Sequence, residues 1–319
     1  KNAPTIDDIY GQEQAKRAIQ IAVAGRHNIL LSGPPGSGKT MLAKSLKNLL
    51  PALSEDEIVE VTKLHSLGEH TIINNPIVDR PFRSPHHTAS RASIIGGGSK
   101  VQPGEISLAH RGVLFLDELL EYPRTVLESL RQPLEDHEIT VSRANGKFNF
   151  PANFLLVATM NPCPCGFLGD PEKTCVCSQN QIINYQKRLS GPLLDRIDLT
   201  VSVSRVPHEK LLNNKMSIKS QQETFLSEIH KAYSIQRDRY KCSYKYNNDI
   251  SSNNVDKITS ISESAKTFLT NAARKLDLST RSYFKVIKVS RTIADLEGSA
   301  SIEVPHIAES LQYRQISIG

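Results

Sequence analysis

The chain has 319 residues, of which 23% are charged and 39% apolar, and its net charge is +6. That length allows a full hydrophobic core and predicts two domains. No run approaches the eighteen apolar residues of a membrane-spanning helix, so we expect no membrane partner. The first residues, KNAPTIDDIYGQ, show no hydrophobic signal segment, which predicts a cytoplasmic protein. The excess of basic over acidic residues permits nucleic-acid binding but is also typical of a lysine-rich globular protein.

The segment NILLSGPPGSGKTMLAKSL carries the strongest chemical signal. An apolar strand over residues 28–31 and a helix over residues 41–50 flank the pattern G-x-x-x-x-G-K-[ST], whose backbone amides surround phosphate. We expect Lys39 to reach the β- and γ-phosphates of ATP and Thr40 to bind Mg²⁺. The predicted nucleotide-binding loop is Gly33, Pro34, Pro35, Gly36, Ser37, Gly38, Lys39 and Thr40.

Two further apolar stretches end in polar residues that suit an ATP site. One predicted strand is followed by Asp117 and Glu118, and another leads to Asn161. The carboxyl ends of parallel strands share the sheet edge where ligands bind. We expect Asp117 to hold Mg²⁺ through water and Glu118 to orient and deprotonate the attacking water. Asn161 is predicted to bind the γ-phosphate and that water, and the alternative is an asparagine that only starts a turn.

Four of the five cysteines lie in the segment CPCGFLGDPEKTCVC. Cys163 and Cys165 form one C-x-C pair, and Cys175 and Cys177 form a second. Four thiolates around a short loop suit tetrahedral Zn²⁺ and leave no open position for water, so the predicted zinc is structural. The spacing in each pair is one residue tighter than the usual C-x₂-C, and a redox pair or free thiols are the alternatives.

The order of these motifs resembles that of an AAA+ P-loop NTPase, and longer segments narrow the resemblance. RPFRSPHHTASRASIIGGGS, PGEISLAHRGVLFLDEL, NPCPCGFLGDP, LSGPLLDRIDL and STRSYFKVIKVSRTIADLEG closely resemble magnesium-chelatase-like proteins of the ComM/YifB type. The resemblance covers nearly the whole chain. It implies a hexameric ring with ATP between subunits and a DNA helicase that promotes branch migration during natural transformation. The alternatives are a magnesium chelatase-like subunit and a protein-remodelling ATPase.

The resemblance also implies an α/β fold in which helices flank a parallel sheet, followed by a helical lid domain. We expect the α/β domain over residues 1–207 and the lid over residues 208–319. The expected additions to the α/β domain are a helix-2 insert over 83–105, a hairpin over 137–151 and the cysteine loop over 163–177. Because members of that family carry a further N-terminal Lon-like domain, we expect this sequence to be an ATPase core.

Two arginines match positions that act on nucleotide in the AAA+ family. The resemblance implies that Arg196 is presented in trans to the γ-phosphate of the neighbouring subunit. An ion pair with Asp195 or Asp198 is the alternative. Arg281 matches the sensor 2 arginine of the lid and is predicted to bind nucleotide. A cation so near the start of its helix gains nothing from the helix dipole, which points to a partner elsewhere.

Two segments are candidates for DNA contact. EITVSRANGKFNF predicts a hairpin that turns at Asn145-Gly146 and places Arg143 opposite Phe148, with Lys147 beside the tip. Two cations and an aromatic ring suit a nucleic-acid backbone, although the hairpin could also only cover a sheet edge. In the insert, three glycines at 96–98 predict a mobile loop without a packing role, and Lys100 is the third expected DNA contact. Metal binding by the adjacent histidines 86 and 87 is not expected.

The C-terminal part predicts a helical lid. Helices are expected over residues 223–240, 263–276 and 280–296, with a last one opened by Pro305. Polar residues at 213–222 and 247–262 predict a hinge and a surface loop.

Overall fold

The computed structural model describes residues 3–68, 75–98, 101–143, 146–206, 220–242, 245–251, 254–255 and 259–314. The strands are β1 (Ile29–Ser32), β2 (Phe82–Arg83), β3 (Gly96–Gly97), β4 (Gln102–Pro103), β5 (Val113–Leu116), β6 (Glu138–Arg143), β7 (Gly146–Pro151), β8 (Leu155–Met160) and β9 (Leu199–Ser202). The helices are α1 (Glu13–Gly25), α2 (Lys39–Ser45), α3 (Glu55–Gly68), α4 (Arg91–Ile95), α5 (Glu105–Leu108), α6 (Arg124–Ser129), α7 (Pro133–Asp136), α8 (Gln179–Gln186), α9 (Gly191–Leu194), α10 (Gln221–Tyr240), α11 (Glu263–Lys275), α12 (Thr280–Glu297) and α13 (Val304–Gln312).

Five strands form one parallel sheet in the order β2–β5–β8–β1–β9. The strand β8 lies between the other two central strands, where Val157 pairs with Ile29 on one side and with Phe115 on the other. Because all pairings are parallel, the carboxyl ends of β1, β5 and β8 meet at one edge. The predicted parallel α/β sheet is confirmed, and the residues that follow these strands come together there.

Helices cover both faces of this sheet. Alternate side chains of each strand enter opposite cores: Ile29 and Phe115 pack with α1, whereas Leu30 and Leu114 pack with α4 to α6. The near-continuous apolar strands follow from this arrangement, since a parallel sheet buries both faces. The carboxyl edge is left for polar side chains.

The predicted lid helices are confirmed to within a few residues. Serine side chains cap three of them, and the cap of α12 is Ser279, whose Oγ accepts a hydrogen bond from the N–H of Ser282 at 3.2 Å. The helices α10 and α12 pack on α1, where the hydroxyl of Tyr233 donates to the carbonyl of Val23 at 2.9 Å. The lid is therefore joined to the α/β domain by polar as well as apolar contacts.

The expected surface loop over residues 247–262 is wrong for its first residues. Asn247 is fully buried, and its Nδ2 donates to Thr292 and to Asp295 at 3.0 and 2.8 Å. Ile250 is also buried. A polar sequence does not mark exposure where every polar group finds a partner inside. Within the expected hinge, residues 213–219 lie outside the described residues.

The predicted hairpin is present as β6 and β7, but its register differs from the expectation. Arg143 pairs with Gly146, Ser142 with Lys147 and Val141 with Phe148. Gly146 is thus part of the paired strand β7 rather than of the expected Asn145-Gly146 turn, and residues 144–145 lie outside the described residues. The partner of each residue is therefore two positions earlier on β7 than expected, which changes which side chains face each other across the strands.

The prediction that the glycines at 96–98 have no packing role is wrong for the first two. Gly96 and Gly97 are buried and pair with Pro103 and Gln102 in a two-stranded ribbon. A Cβ atom on Gly96 would lie 2.7 Å from the carbonyl oxygen of Gln102, and the φ of +106° also requires glycine. Close backbone approach, rather than mobility, explains these residues.

Among the described residues, no helix has both the length and the apolar character needed to cross a membrane.

Candidate functional site

The phosphate-binding loop lies at the carboxyl end of β1 and leads into α2. Its first amide, the N–H of Gly33, bonds to the carbonyl of Met160 on the neighbouring strand at 3.2 Å. A Cβ atom on Gly33 would lie 2.1 Å from the carbonyl oxygen of Val203, so only glycine fits there. Gly36 and Gly38 have φ values of +77° and +90°, which turn the backbone around the loop. The sequence pattern and the geometry agree.

Lys39 connects this loop with the end of β8. Its Nζ donates to the carbonyls of Gly33 and Pro34 at 2.6 and 2.8 Å and to Oδ1 of Asn161 at 3.3 Å. Burial lowers the pKa of Lys39, and the charge of Asp117 counteracts that effect. The ammonium group is therefore held between the loop and the predicted sensor residue.

Thr40 and Asp117 are also brought together. Oγ1 of Thr40 lies 3.2 Å from Oδ2 of Asp117. Thr159, which the sequence analysis did not single out, donates to Oδ1 of Asp117 at 2.5 Å and accepts the N–H of Glu118 at 3.0 Å. A hydroxyl and a carboxylate at this distance provide the oxygen ligands that Mg²⁺ prefers. The signal for Thr159 was its place at the end of a predicted buried strand.

Glu118 has a strained backbone and an accessible side chain. Its φ is +53°, the left-handed region that a non-glycine residue rarely adopts. Its carboxylate is 56% exposed and its Oε2 lies 4.0 Å from Nδ1 of His87. Strain of this kind is concentrated at functional sites. The turn after β5 therefore directs Glu118 away from the core and toward the insert.

These residues fit ATP with Mg²⁺. Oγ of Ser37 is buried and has no hydrogen-bond partner in the described structure, although it belongs to the phosphate-binding loop. A buried hydroxyl without a partner is costly unless a ligand provides one. A cavity of about 440 Å³ opens beside the same loop and is lined by Ile9, Tyr10, Met41, Glu172, Arg205 and Val206, among others. It offers room for the nucleoside half of the nucleotide.

The four cysteines of the loop after β8 form one cluster. Their sulfur atoms all lie within 4.8 Å of one another, and the Sγ of Cys163 is 3.4 Å from that of Cys165 and 3.7 Å from that of Cys175. In a tetrahedral site with Zn–S bonds of about 2.3 Å, neighbouring sulfurs are about 3.8 Å apart. Each tight C-x-C pair thus brings both of its thiols to the cluster.

Backbone amides point at these sulfurs. The N–H of Cys165 donates to Cys177 Sγ and the N–H of Leu168 donates to Cys163 Sγ, both at 3.4 Å. A backbone hydrogen bond from Phe167 is the main cause that lowers the pKa of Cys165 to about 6, whereas the pKa values of Cys163, Cys175 and Cys177 are raised. N–H donors stabilise thiolate, which is the form that binds metal. The donor set fits Zn²⁺.

Arg196, predicted to act in trans, and Arg281, predicted to bind nucleotide from the lid, lie together, and no described contact joins either to the phosphate-binding loop. Arg196 and Arg281 both bind the carboxylate of Glu135, and the Nη2–Oε1 distance of the Arg281 bond is 3.0 Å. The backbone carbonyl of Arg196 accepts a hydrogen bond from the side chain of Asn28, directly before β1. The loop follows the other end of that strand, about 13 Å away at 3.3 Å per residue. The structure does not bring Arg281 to the loop of its own chain.

Arg196 forms its ion pair with Glu135 and not with Asp195 or Asp198, which were the alternative partners. Neither Asp195 nor Asp198 is its partner in the described contacts: Asp198 accepts the N–H of Asn28 at 2.8 Å. Nε of Arg196 is buried without a hydrogen-bond partner in the described structure. Arg196 is thus held by one carboxylate and keeps an unused donor.

The DNA candidates are only partly visible. Lys147 and Phe148 are exposed on β7. Lys100 lies outside the described residues, and Arg143 is described only through its backbone. His86 and His87 stack with ring centroids 4.1 Å apart, and the nearest carboxylate to His87 is that of Glu118.

Comparisons with known proteins agree with this geometry. The family model for magnesium chelatase, subunit ChlI, matches residues 5–211, and the model for the C-terminal part of that subunit matches residues 219–314. The chain is 46% identical over 315 residues to "Competence protein ComM" of Haemophilus influenzae, an alignment that covers 98% of this chain and 60% of that protein.

Two further relatives carry the name "Uncharacterized protein YifB". The protein of Escherichia coli is 41% identical over 98% of this chain, and that of Salmonella typhimurium is 41% identical over 97%. The chain spans about 60% of the length of each of these curated relatives.

Proposed function

Since the chain belongs to the family of magnesium chelatase subunit ChlI, a branch of the AAA+ ATPases, we propose that it is an ATP-driven ring motor that acts on DNA. The family implies ATP and Mg²⁺ as ligands of the site. The proposed activity is that of a helicase that promotes branch migration during natural transformation, in the cytoplasm. The name of the similar competence protein and the exposed Lys147 and Phe148 support DNA as the partner.

In the proposed mechanism the loop and Lys39 bind the β- and γ-phosphates. Thr40 and Asp117 would hold Mg²⁺, whose charge offsets that of the phosphate oxygens. Glu118 takes the proton of the attacking water, and Asn161 holds that water against the γ-phosphate. The hydrogen bond between Lys39 and Asn161 supports this pairing of roles, because one phosphate oxygen could replace the contact between them.

The position of Arg196 and Arg281 is the observation that supports a ring-shaped oligomer. The backbone of Arg196 lies at the amino end of β1 and its side chain shares Glu135 with Arg281, whereas the phosphate-binding loop is at the carboxyl end of that strand. An arginine there is too far from the γ-phosphate of its own chain and can serve that of a neighbour. Charge stabilisation in trans makes hydrolysis depend on assembly. We therefore propose a homo-oligomer, a hexamer, in which each site is completed by the next subunit.

The cysteine cluster is proposed to hold structural Zn²⁺. Four thiolates leave no open coordination position, so the ion would order the loop rather than react. The loop begins two residues after Asn161. An ordered cysteine loop would therefore help to fix the position of Asn161.

The proposal is tested by ATP hydrolysis with single-stranded DNA, with branched DNA and without DNA. Strong stimulation by DNA, lost in Arg196→Ala, supports a ring motor on DNA. Arg131→Ala, which removes a more exposed arginine that pairs with Glu128 at 3.1 Å, is the control and should keep the stimulation. A normal basal rate that no DNA changes would contradict the DNA motor.

Two other functions remain as candidates. A magnesium chelatase-like subunit is favoured by the family model, and it would respond to its porphyrin-binding partners rather than to DNA. A protein-remodelling ATPase would be stimulated by unfolded polypeptide. Adding a porphyrin, an unfolded protein or DNA to one hydrolysis assay separates the three.

A further inference from the structure

The cysteine loop packs directly against the phosphate-binding loop. Gly166, one residue after the first cysteine pair, faces Pro35 so closely that an added Cβ would lie 2.6 Å from Pro35 Cδ and 2.8 Å from its Cγ. The φ of Gly166 is +85°, so the contact is fixed by backbone conformation on the cysteine side. A displacement of the cysteine loop would thus also displace Pro35.

Arg205 joins the same two loops by polar contacts. Its Nε lies 3.2 Å from Oδ2 of Asp170 and its Nη1 lies 3.4 Å from Oε2 of Glu172, both in the cysteine loop. Its Nη2 donates to the carbonyl of Pro35 at 3.2 Å. Its guanidinium also lies over the ring of Phe167, 5.5 Å from the centroid. One side chain therefore binds three residues between the cysteine pairs and one residue of the phosphate-binding loop.

The partners of Arg205 are themselves held by the loop. The carboxylate of Asp170 is fully buried, and its Oδ1 accepts the N–H groups of Glu172 and Lys173 at 2.8 and 3.1 Å. Asp170 thus fixes the backbone that carries Glu172. A buried charge of this kind is stable only while its partner stays in place.

Glu172 and Arg205 line the cavity of about 440 Å³ beside the phosphate-binding loop. The lining also includes Ile9, Tyr10 and Met41, side chains suited to an adenine ring. A carboxylate at the rim can accept hydrogen bonds from ribose hydroxyls. The cysteine loop and Arg205 therefore contribute polar side chains to the lining of this cavity.

We propose that Arg205 is a positioning residue that couples the metal-binding cysteine loop to the nucleotide pocket, with Glu172 as a ribose contact, so that loss of the metal weakens nucleotide binding. The proposal rests on the proposed ATP site. The loop has little core of its own: Leu168 and Val176 are exposed, and Gly169 adopts a left-handed conformation. The bound metal is then the main source of order for Asp170 and Glu172.

The test is equilibrium binding of a fluorescent ADP analogue to the full chain with Mg²⁺, which needs no hydrolysis. Arg205→Gln should weaken binding by about tenfold or more, the effect of lost hydrogen bonds to charged groups. Arg314→Gln is the matched control, because Arg314 also donates to a backbone carbonyl but does so in the lid. Asp170→Asn provides a second variant should Arg205→Gln not fold.

Metal coupling is measured in the same titration. Removing Zn²⁺ with a zinc-selective chelator under reducing conditions should weaken binding by the wild-type chain, and adding Zn²⁺ back should restore it. In Arg205→Gln the chelator should change affinity little, because the coupling residue is already lost. Wild-type affinity in both Arg205→Gln and Asp170→Asn, or an equal chelator effect in wild type and Arg205→Gln, would overturn the coupling. No binding by the wild type, or equal binding by Lys39→Ala, would instead overturn the ATP site and the inference with it.

Discussion

Nδ1 of His87 lies 4.0 Å from Oε2 of Glu118, so a side chain of the insert faces the carboxylate proposed to activate water. Glu118 is presented by a left-handed turn at the end of β5, and Thr159 holds its backbone N–H. The proposed general base and His87 are thus neighbours, although 30 residues lie between them in the chain.

Replacing the proposed base should separate hydrolysis from binding. We expect Glu118→Gln to lower the hydrolysis rate by about a factor of 10² to 10⁴, the usual contribution of a general base, while nucleotide affinity stays near the wild-type value. Glu121→Gln is the control, since Glu121 is a nearby carboxylate that pairs with Arg188. Steady-state hydrolysis and equilibrium binding measure the two effects. A Glu118→Gln chain with full activity would exclude Glu118 as the base.

Mixing two inactive variants should restore activity. Arg196→Ala lacks the trans arginine but keeps its own loop and base, whereas Glu118→Gln lacks the base but still presents Arg196. In a mixed ring, some sites combine an intact base with an intact arginine from the neighbour, so we expect hydrolysis above that of either variant alone. Hydrolysis by a titrated mixture is the measurement. No recovery over the whole mixing range, with assembly intact, would count against the trans position.

The cysteine cluster should bind one zinc ion per chain. Metal analysis of protein purified under reducing conditions is expected to find about one Zn²⁺ per chain, and Cys175→Ser should remove most of it, because one of four thiolate ligands is lost. Cys242→Ser is the matched control, since Cys242 lies outside the cluster. Equal zinc content in the two variants would contradict the assignment.

The exposed lysine of the hairpin should contribute to DNA affinity through its charge. A lysine that neutralises a phosphate releases counterions, so Lys147→Ala should weaken DNA binding and reduce the slope of log affinity against log salt by roughly one unit per subunit contact. Lys231→Ala, an exposed lysine of α10, should leave the slope unchanged. Binding titrations at several salt concentrations provide the slopes. An identical slope for Lys147→Ala and wild type would remove the hairpin from the interface.

Acid should destabilise the chain through a histidine between the α/β domain and the lid. His27 is completely buried, and its Nε2 lies 2.7 Å from Oγ1 of Thr292. Burial lowers its pKa from 6.5 to about 3. The unfolded chain therefore binds a proton that the folded chain does not, and stability falls by up to about 1.4 kcal/mol per pH unit as the pH drops below 6.5.

Denaturant unfolding between pH 7 and pH 5 tests this contribution. His27→Gln should show a shallower loss of stability than wild type, and His230→Gln, which changes an exposed histidine, should show the wild-type loss. Parallel curves for His27→Gln and wild type would mean that His27 does not contribute.

The ATP site was predictable because its residues follow strands. Lys39, Asp117 and Asn161 come from three separate segments, but parallel strands that end at one edge bring them together whatever the details of packing. Thr159, Arg205 and Glu135 were not found, since their roles depend on side-chain partners far away in the chain. The register of the hairpin was also wrong: Asn-Gly is typical of a turn, but Gly146 pairs within the strand and Ile139 pairs with Phe150. Buried Asn247 was misread because composition does not reveal a satisfied hydrogen-bond network.

The docking of the lid has a consequence for how force would be produced. Thr292 and Tyr233 fasten α12 and α10 to the α/β domain of the same chain, and the same helix α12 carries Arg281 beside Arg196. In the proposed ring, we expect a subunit fastened in this way to move as one rigid body, so that motion occurs between subunits rather than within them. Hydrolysis would then change the angle between two neighbours while the shape of each is preserved. The movement that drives such a motor would then be a change in the contact between two neighbouring subunits.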